Sequence, residues 1–98
     1  MEKENYEILW EQVFLPEIER SVSSIAFATY IKQLKPIDLN GDKLVLSAST
    51  KFFADTVNDK AVGGKIREAL LKCNTYVTDF YAVVAKDREE YLNQLKAE

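Results

Sequence analysis

Residues 27–36 constrain the possible folds of this chain most strongly, because they contain a helical pattern that ends at a proline. Four large apolar side chains recur at the i, i+3, i+4, i+7 spacing of one helical face: Phe27, Tyr30, Ile31 and Leu34. Pro36 cannot continue a helix, because it has no backbone N–H and its ring crowds the preceding turn. The segment therefore predicts a core helix over residues 24–33, ending before Pro36.

The residues before this segment predict a first amphipathic helix. Apolar residues follow a helical spacing from residue 5 onward, and the glutamates lie off that face. Pro16 interrupts the pattern, because it cannot donate to the carbonyl of Gln12, and we expect a kink or a break there. Three serines can accept hydrogen bonds from unpaired amides and so cap the second helix. They are Ser21, Ser23 and Ser24.

A β-hairpin and a further helix are predicted after Pro36. Asn40-Gly41 is a strong turn signal between two strand-like runs, at residues 37–39 and 43–48. The second strand alternates apolar with other residues, so we expect one covered sheet face. Ser49 or Thr50 can cap a third helix. The inward residues of the second strand are Leu44, Leu46 and Ala48.

The last third of the chain predicts another helical piece, a strand and a tail. Gly63-Gly64 is expected to end or bend the third helix, which gives two helical pieces in series. Residues 75–84 are rich in β-branched and aromatic side chains and predict a third strand. Residues 87–96 fit either a docked helix or the beginning of a tether. Their apolar side is thin, so we expect this tail to be dispensable for folding.

Composition limits the function of the chain. With 98 residues, 47% of them apolar, it can build the core of one domain. The 13 basic and 16 acidic residues give a net charge of −3, which argues against an affinity based mainly on phosphate neutralisation. The apolar runs are too short for a membrane span and no signal-peptide pattern opens the sequence. We therefore expect a cytoplasmic protein.

Few residues could support catalysis or bind a metal. The sequence has no histidine, and its single cysteine, Cys73, cannot form an internal disulfide or a Cys/His pair. We interpret Cys73 as a core thiol. The Gly63-Gly64 pair is not followed by the consecutive lysine and hydroxyl residues that complete a phosphate-binding loop. We expect a non-enzymatic domain with no cofactor and no metal site.

Aromatic residues are the candidates for contact with a partner. Phe52 and Phe53 are about 100° apart on one predicted helix, so they cannot both point into the core. Lys51 and Asp55 would surround an exposed ring with the polar rim of a binding hot spot, so we expect one of the two rings to lie at the surface. The first helix carries more aromatic bulk than one side can bury. We therefore expect Trp10 to be partly exposed and to drive weak self-association.

The pattern of these residues resembles the amino-terminal domain of the bacterial replication initiator DnaA. The resemblance extends over residues 1–85, which form one interaction domain, and residues 86–98 would be a C-terminal helix or the start of a linker. It implies an α+β, K-homology-like fold of order α-α-β-β-α(α)-β, with a three-stranded sheet covered by helices on one face. The matching residues are Leu9-Trp10 with Val13 and Ile18, then Phe27, Tyr30, Ile31 and Leu34, then Thr50-Lys51-Phe52 with Asp55.

This resemblance implies protein contacts during replication initiation. The implied partners are the replicative helicase, regulators of the initiator and, weakly, a second copy of the chain. Trp10, with Tyr6 on the same face, lies at the position associated with self-association. Phe52, flanked by Lys51 and Asp55, lies at the position associated with helicase and regulator binding, so the resemblance implies that Phe52 lies at the surface and Phe53 in the core. ATP binding and duplex recognition belong to other domains of such initiators.

Several positions depart from the family pattern, among them Thr56 and Ala26, and one alternative function remains. Thr56 stands where the family has a tryptophan, and Ala26 where some members have a glutamate that contacts helicase. The alternative is a small K-homology-like domain that binds single-stranded nucleic acid. Such domains use a Gly-x-x-Gly loop, of which Gly63-Gly64-Lys65 is only a partial match. We therefore expect nucleic-acid binding through this domain to be absent or weak.

Overall fold

A three-stranded sheet organises the fold. In the computed structural model, which describes residues 5–97, β1 (Lys35–Asn40) pairs antiparallel with β2 (Lys43–Ser47). β3 (Asp79–Val83) is parallel to β2, so the sheet order is β1-β2-β3. The helices are α1 (Asn5–Leu9), α2 (Leu15–Ser21), α3 (Ser24–Ala26), α4 (Lys51–Asn58), α5 (Lys60–Cys73) and α6 (Arg88–Lys96). The predicted α+β class is confirmed, and β3 is shorter than predicted.

Pro16 shapes the first helical region without breaking it. A π-helical turn, Trp10–Phe14, joins α1 to α2, and in it the N–H of Leu15 donates to the carbonyl of Trp10. Pro16 lies in the first turn of α2, where its missing N–H does little harm. Of the predicted kink or break, the break is therefore excluded, and the helical pattern is interrupted only by this π-helical turn. The wider turn before the proline accommodates it, and the chain remains helical from α1 through α2.

The second helical region begins at a serine cap, as the sequence predicted. Ser23 Oγ accepts a hydrogen bond from the N–H of Ala26 at 3.1 Å. After α3 the chain forms a second π-helical turn, Phe27–Ile31, and it enters β1 at Lys35, just before Pro36. The prediction that this helix ends before the proline is confirmed.

Gly41 makes the hairpin possible. Asn40 pairs with Lys43, so the loop consists of Gly41 and Asp42, one residue later than predicted. Gly41 has φ of +66°, a conformation that residues with a Cβ rarely adopt. The register of the hairpin shifts beside Pro36, which cannot donate to the ladder.

The junction between α4 and α5 lies at Asp59 and not at the glycine pair. α4 ends at Asn58, and Asp59 has an extended backbone before α5 begins. Gly63 and Gly64 lie inside α5, so the predicted position of the break is wrong. A Cβ on Gly63 would lie 2.6 Å from the carbonyl oxygen of Val57, so the close approach of the two helices requires this glycine.

Hydrophobic clusters cover both faces of the sheet, whereas the sequence predicted one covered face. Val45 of β2, which alternation placed outward, is buried in a second cluster with Ile37, Ala85 and Tyr91 of α6. The main core lies between the other helices and the sheet. Its fully buried large side chains include Phe14, Ile18, Ile31, Leu44, Leu46, Ile66, Leu70 and Phe80.

The C-terminal tail is a docked helix. Asp87 caps α6 by accepting from the N–H of Glu90, and Arg88 forms an ion pair with Asp38 at 3.0 Å. The side chain of Tyr91 is only 3% exposed. The expected thin apolar side is confirmed, because Tyr91 is the only buried residue of α6. This one tyrosine nevertheless fills the space over Val45 that the sequence alone left open, so we now expect the tail to contribute to stability.

Candidate functional site

The start of α4 places Phe52 at the surface and turns Phe53 inward. Thr50 Oγ1 accepts from the N–H of Phe53 at 3.2 Å and so fixes where the helix begins. Ala54 and Val57 then face the core. Phe52 is 65% exposed, whereas Phe53 is partly buried against the main core. The predicted assignment of the two rings is confirmed.

Phe52 belongs to a cluster of three aromatic rings. The centroids of Phe52 and Phe53 are 5.6 Å apart, and Tyr30 lies 6.5 Å from Phe52 and 5.9 Å from Phe53. All three pairs are tilted or edge-on, which is the favourable geometry for aromatic contacts. The exposed ring is therefore supported on its inner side. The sequence placed Tyr30 in the core and gave no sign of this contact, since the contact depends on how the second π-helical turn packs against α4.

Lys51 and Asp55 flank Phe52 on the exposed side of α4. Lys51 Nζ lies 3.1 Å from Asp55 Oδ2, one helical turn along, and both side chains are largely exposed. An exposed pair of this kind contributes less than about 1 kcal/mol to stability. The structure thus brings the three predicted residues together on one surface, with a polar rim beside the ring.

A groove of about 440 Å³ opens beside Phe52, and the sequence analysis did not identify its remaining lining residues. It is lined by Phe52, Asp55, Thr56, Asn58 and Asp59. Asn58 has a structural role here, because its side-chain amide donates to the carbonyl of Ala82 and accepts from the N–H of Ala82. This pair of bonds closes part of the free edge of β3. In the sequence, the only indication of this role was that Asn58 and Asp59 are adjacent at the end of a predicted helix.

Trp10 does not lie at the surface. It is 2% exposed and belongs to the main core, so its predicted partial exposure is wrong. The π-helical turn that carries Trp10 packs against α5, while α1 before it packs against β1, so the first helical region can bury aromatic rings against more than one element. Tyr6 is partly buried, and its hydroxyl donates to the carbonyl of Ile37 at 3.2 Å.

Cys73 packs against the main core, and its thiol lies 3.8 Å from the carbonyl oxygen of Val13. Burial raises the pKa of the thiol, and the carboxylate of Glu17 raises it further. A raised pKa keeps the thiol protonated and weakly nucleophilic. Within residues 5–97, no three His, Cys, Asp or Glu side chains are grouped as a metal site would require.

The architecture defines a small α+β domain in which one aromatic cluster reaches the surface. The family profile described as the DnaA N-terminal domain matches residues 7–72, more than half of the chain. The chain therefore belongs to the DnaA N-terminal domain family, a non-catalytic family related to replication initiation and involved in its protein interactions. The match ends in α5, so β3 and α6 lie outside it.

No helix between residues 5 and 97 combines the length and the apolar character that a membrane-spanning helix needs.

Proposed function

We propose that this domain is a non-enzymatic docking module for proteins of replication initiation, and that Phe52 is its principal contact residue. The observation that supports the proposal is the exposed Phe52 ring, held against Tyr30 and Phe53. A ring that is already held in place loses little conformational freedom when a partner covers it. Aromatic side chains with these properties dominate many protein interfaces.

Lys51 and Asp55 form the rim of the proposed docking surface. In a complex these side chains would exclude water at the edge of the ring, whereas their exposed ion pair contributes little energy of its own. The proposed partners follow from the family: the replicative helicase and regulators of the initiator, met in the cytoplasm at the replication origin. No cofactor is required for such contacts.

Weak self-association is the second part of the proposal, and here Trp10 acts indirectly. Because Trp10 is buried, it holds the first helical region in place and does not itself contact a second copy. The exposed side of α1 includes Ile8, which is 39% exposed and lies close in sequence to Tyr6. Sedimentation equilibrium should show weak association of the wild type that Ile8→Glu abolishes. A wild type that stays monomeric at millimolar concentration would disprove this part.

The docking proposal is tested by capture from a cell extract with three baits. Phe52→Ala removes the exposed ring, and Leu71→Ala is the matched control, because Leu71 is similarly exposed but lies on α5. We expect wild type and Leu71→Ala to retain the same proteins and Phe52→Ala to lose at least one of them. Identical captured proteins for all three baits would contradict the proposal.

Binding of a labelled single-stranded oligonucleotide, measured over a range of salt concentrations, tests for the nucleic-acid function. A steep loss of affinity with salt is the signature of phosphate contacts. We expect no such binding at physiological salt.

A further inference from the structure

Hydrogen-bond donors in the groove beside Phe52 are already engaged. The hydroxyl of Thr56 donates to the carbonyl oxygen of Phe52 at 2.7 Å. The side-chain amide of Asn58 donates to the carbonyl of Ala82 at 3.0 Å, and its oxygen accepts from the N–H of Ala82 at 2.8 Å. Both polar side chains therefore bond to the backbone of this chain. What the groove offers to another molecule is mainly the Phe52 ring and two carboxylates, together with the second N–H of the Asn58 amide.

Asp55 and Asp59 supply these carboxylates, and each has one oxygen to spare. Asp55 uses Oδ2 in its contact with Lys51, and Asp59 uses Oδ1 to accept from the N–H of Lys60. Among the ion pairs of residues 5–97, none joins Asp59 to a lysine or arginine side chain. The side chain of Lys60 is not part of the groove lining. The groove thus places the apolar ring of Phe52 next to the carboxylate oxygens of Asp55 and Asp59.

An arginine side chain is the natural complement of this arrangement. Its planar guanidinium stacks on aromatic faces and presents five donors in a rigid fork, which suits two separate acceptors. A lysine ammonium is a compact, strongly hydrated charge and matches a ring with two carboxylates less well. We propose that the partner of the Phe52 surface presents an arginine that lies against the Phe52 ring and binds Asp55 and Asp59. This inference rests on the docking role proposed above.

A direct test uses two short peptides and the full chain. One peptide is acetyl-Leu-Arg-Leu-amide, and the other carries citrulline, a neutral side chain of almost the same shape, in place of arginine. Amide NMR shifts of the 98-residue chain are followed during titration with each. We expect the shifts to concentrate around Phe52, Asp55 and Asp59, and the arginine peptide to bind at least about threefold more tightly, because its donors are charged. Equal binding of the two peptides would overturn the proposal.

Variants of the groove carboxylates sharpen the test. Asp59→Asn removes the charge but keeps an oxygen that can accept from the N–H of Lys60, so the start of α5 is preserved. Lys60→Gln is the matched control, because it changes a neighbouring charge outside the groove lining. We expect Asp59→Asn to weaken the arginine peptide about threefold or more and Lys60→Gln not to weaken it. Urea unfolding of each variant verifies that the fold is intact. An equal loss in both variants would overturn the proposal.

The capture experiment separates this inference from the docking role. If Phe52→Ala loses the captured proteins but Asp59→Asn retains them with unchanged affinity, the docking role stands and the arginine contact is wrong. If Phe52→Ala retains every captured protein while the two peptides still differ in affinity, the docking role fails and the arginine preference of the groove stands.

Discussion

This domain contains two aromatic clusters of similar geometry. The closed cluster, Tyr81 and Tyr91, lies beneath α6, whereas the open cluster, Tyr30, Phe52 and Phe53, reaches the surface. Tyr81 and Tyr91 have centroids 6.4 Å apart, and their hydroxyl groups are joined by a hydrogen bond beneath α6. Tyr30, Phe52 and Phe53 have comparable separations, yet Phe52 remains 65% exposed. Ring geometry therefore does not distinguish a buried aromatic cluster from an exposed one. What distinguishes them is whether another element of the same chain covers the outer ring.

Removal of the residues after Lys86 should have the largest effect, because it uncovers the closed cluster. We expect the free energy of unfolding to fall by about 3–4 kcal/mol, since Val45 and Tyr81 lose the cover of Tyr91 and three polar contacts of α6 disappear. The contacts are Arg88 with Asp38, Gln94 with the carbonyl of Val84, and Tyr91 with the hydroxyl of Tyr81. Urea unfolding of the full and shortened chains measures the difference. A loss below about 1 kcal/mol would mean that the domain needs no cover on this face.

In the open cluster, the two phenylalanines should contribute very differently to the free energy of unfolding. Phe53→Ala should lower the free energy of unfolding by about 2–4 kcal/mol, because this ring packs against the core without being fully buried. Phe52→Ala should lower it by less than about 1 kcal/mol, because its ring is mostly exposed. Denaturant unfolding of the two variants provides the comparison. The reverse ranking would show that the rings have exchanged roles in solution.

The helix junction that supports the open cluster gives a smaller pair of effects. Gly63→Ala should destabilise the domain by about 1–2 kcal/mol, because the new Cβ would meet the carbonyl oxygen of Val57. Gly64→Ala should stabilise it by about 0.5–1 kcal/mol, because nothing lies within 4 Å of its Cβ position and alanine favours the helix. Thermal unfolding tests both. Effects of the same sign would mean that α5 does not approach α4 this closely.

The smallest expected change in stability comes from the hydroxyl of Tyr91 in the closed cluster, and this change depends on pH. Burial, followed by the hydrogen bond with Tyr81, raises the pKa of Tyr91 from 10.0 to about 12. Below pH 10 the side chain is neutral in both states, so its full contribution is present. Between pH 10 and about 12 only the unfolded state ionises, which favours unfolding, so stability is lost as the pH rises.

Tyr91→Phe should therefore lose less stability than the wild type over this alkaline range. At pH 7 the two should differ by no more than about 1 kcal/mol, because one hydrogen bond is removed. Tyr81→Phe is the control, because it removes the same hydrogen bond but keeps the titrating hydroxyl of Tyr91. Parallel pH dependences for wild type and Tyr91→Phe would show that Tyr91 does not titrate differently in the two states.

The amino-acid sequence by itself determined the features that depend on neighbouring residues. Gly41 had to lie in a tight turn because of its backbone freedom, and Pro36 had to follow the end of a helix. The cap of α4 had to be Ser49 or Thr50, because either hydroxyl can accept from an amide further along the chain, and the structure shows that it is Thr50. The angle between Phe52 and Phe53 then separated an outer ring from an inner one. Each of these conclusions needs only helical or strand geometry over a few residues.

Only the tertiary structure decided what covers each apolar face. Periodicity shows that a residue lies on an apolar face, but not which distant element will pack against it. Trp10 is buried because its π-helical turn meets α5, and Val45 is buried because Tyr91 returns from the end of the chain. Phe52 stays exposed because, among residues 5–97, its nearest rings support it from one side only. Burial depends on contacts between segments that are distant in sequence, so the pattern of a short segment cannot predict it.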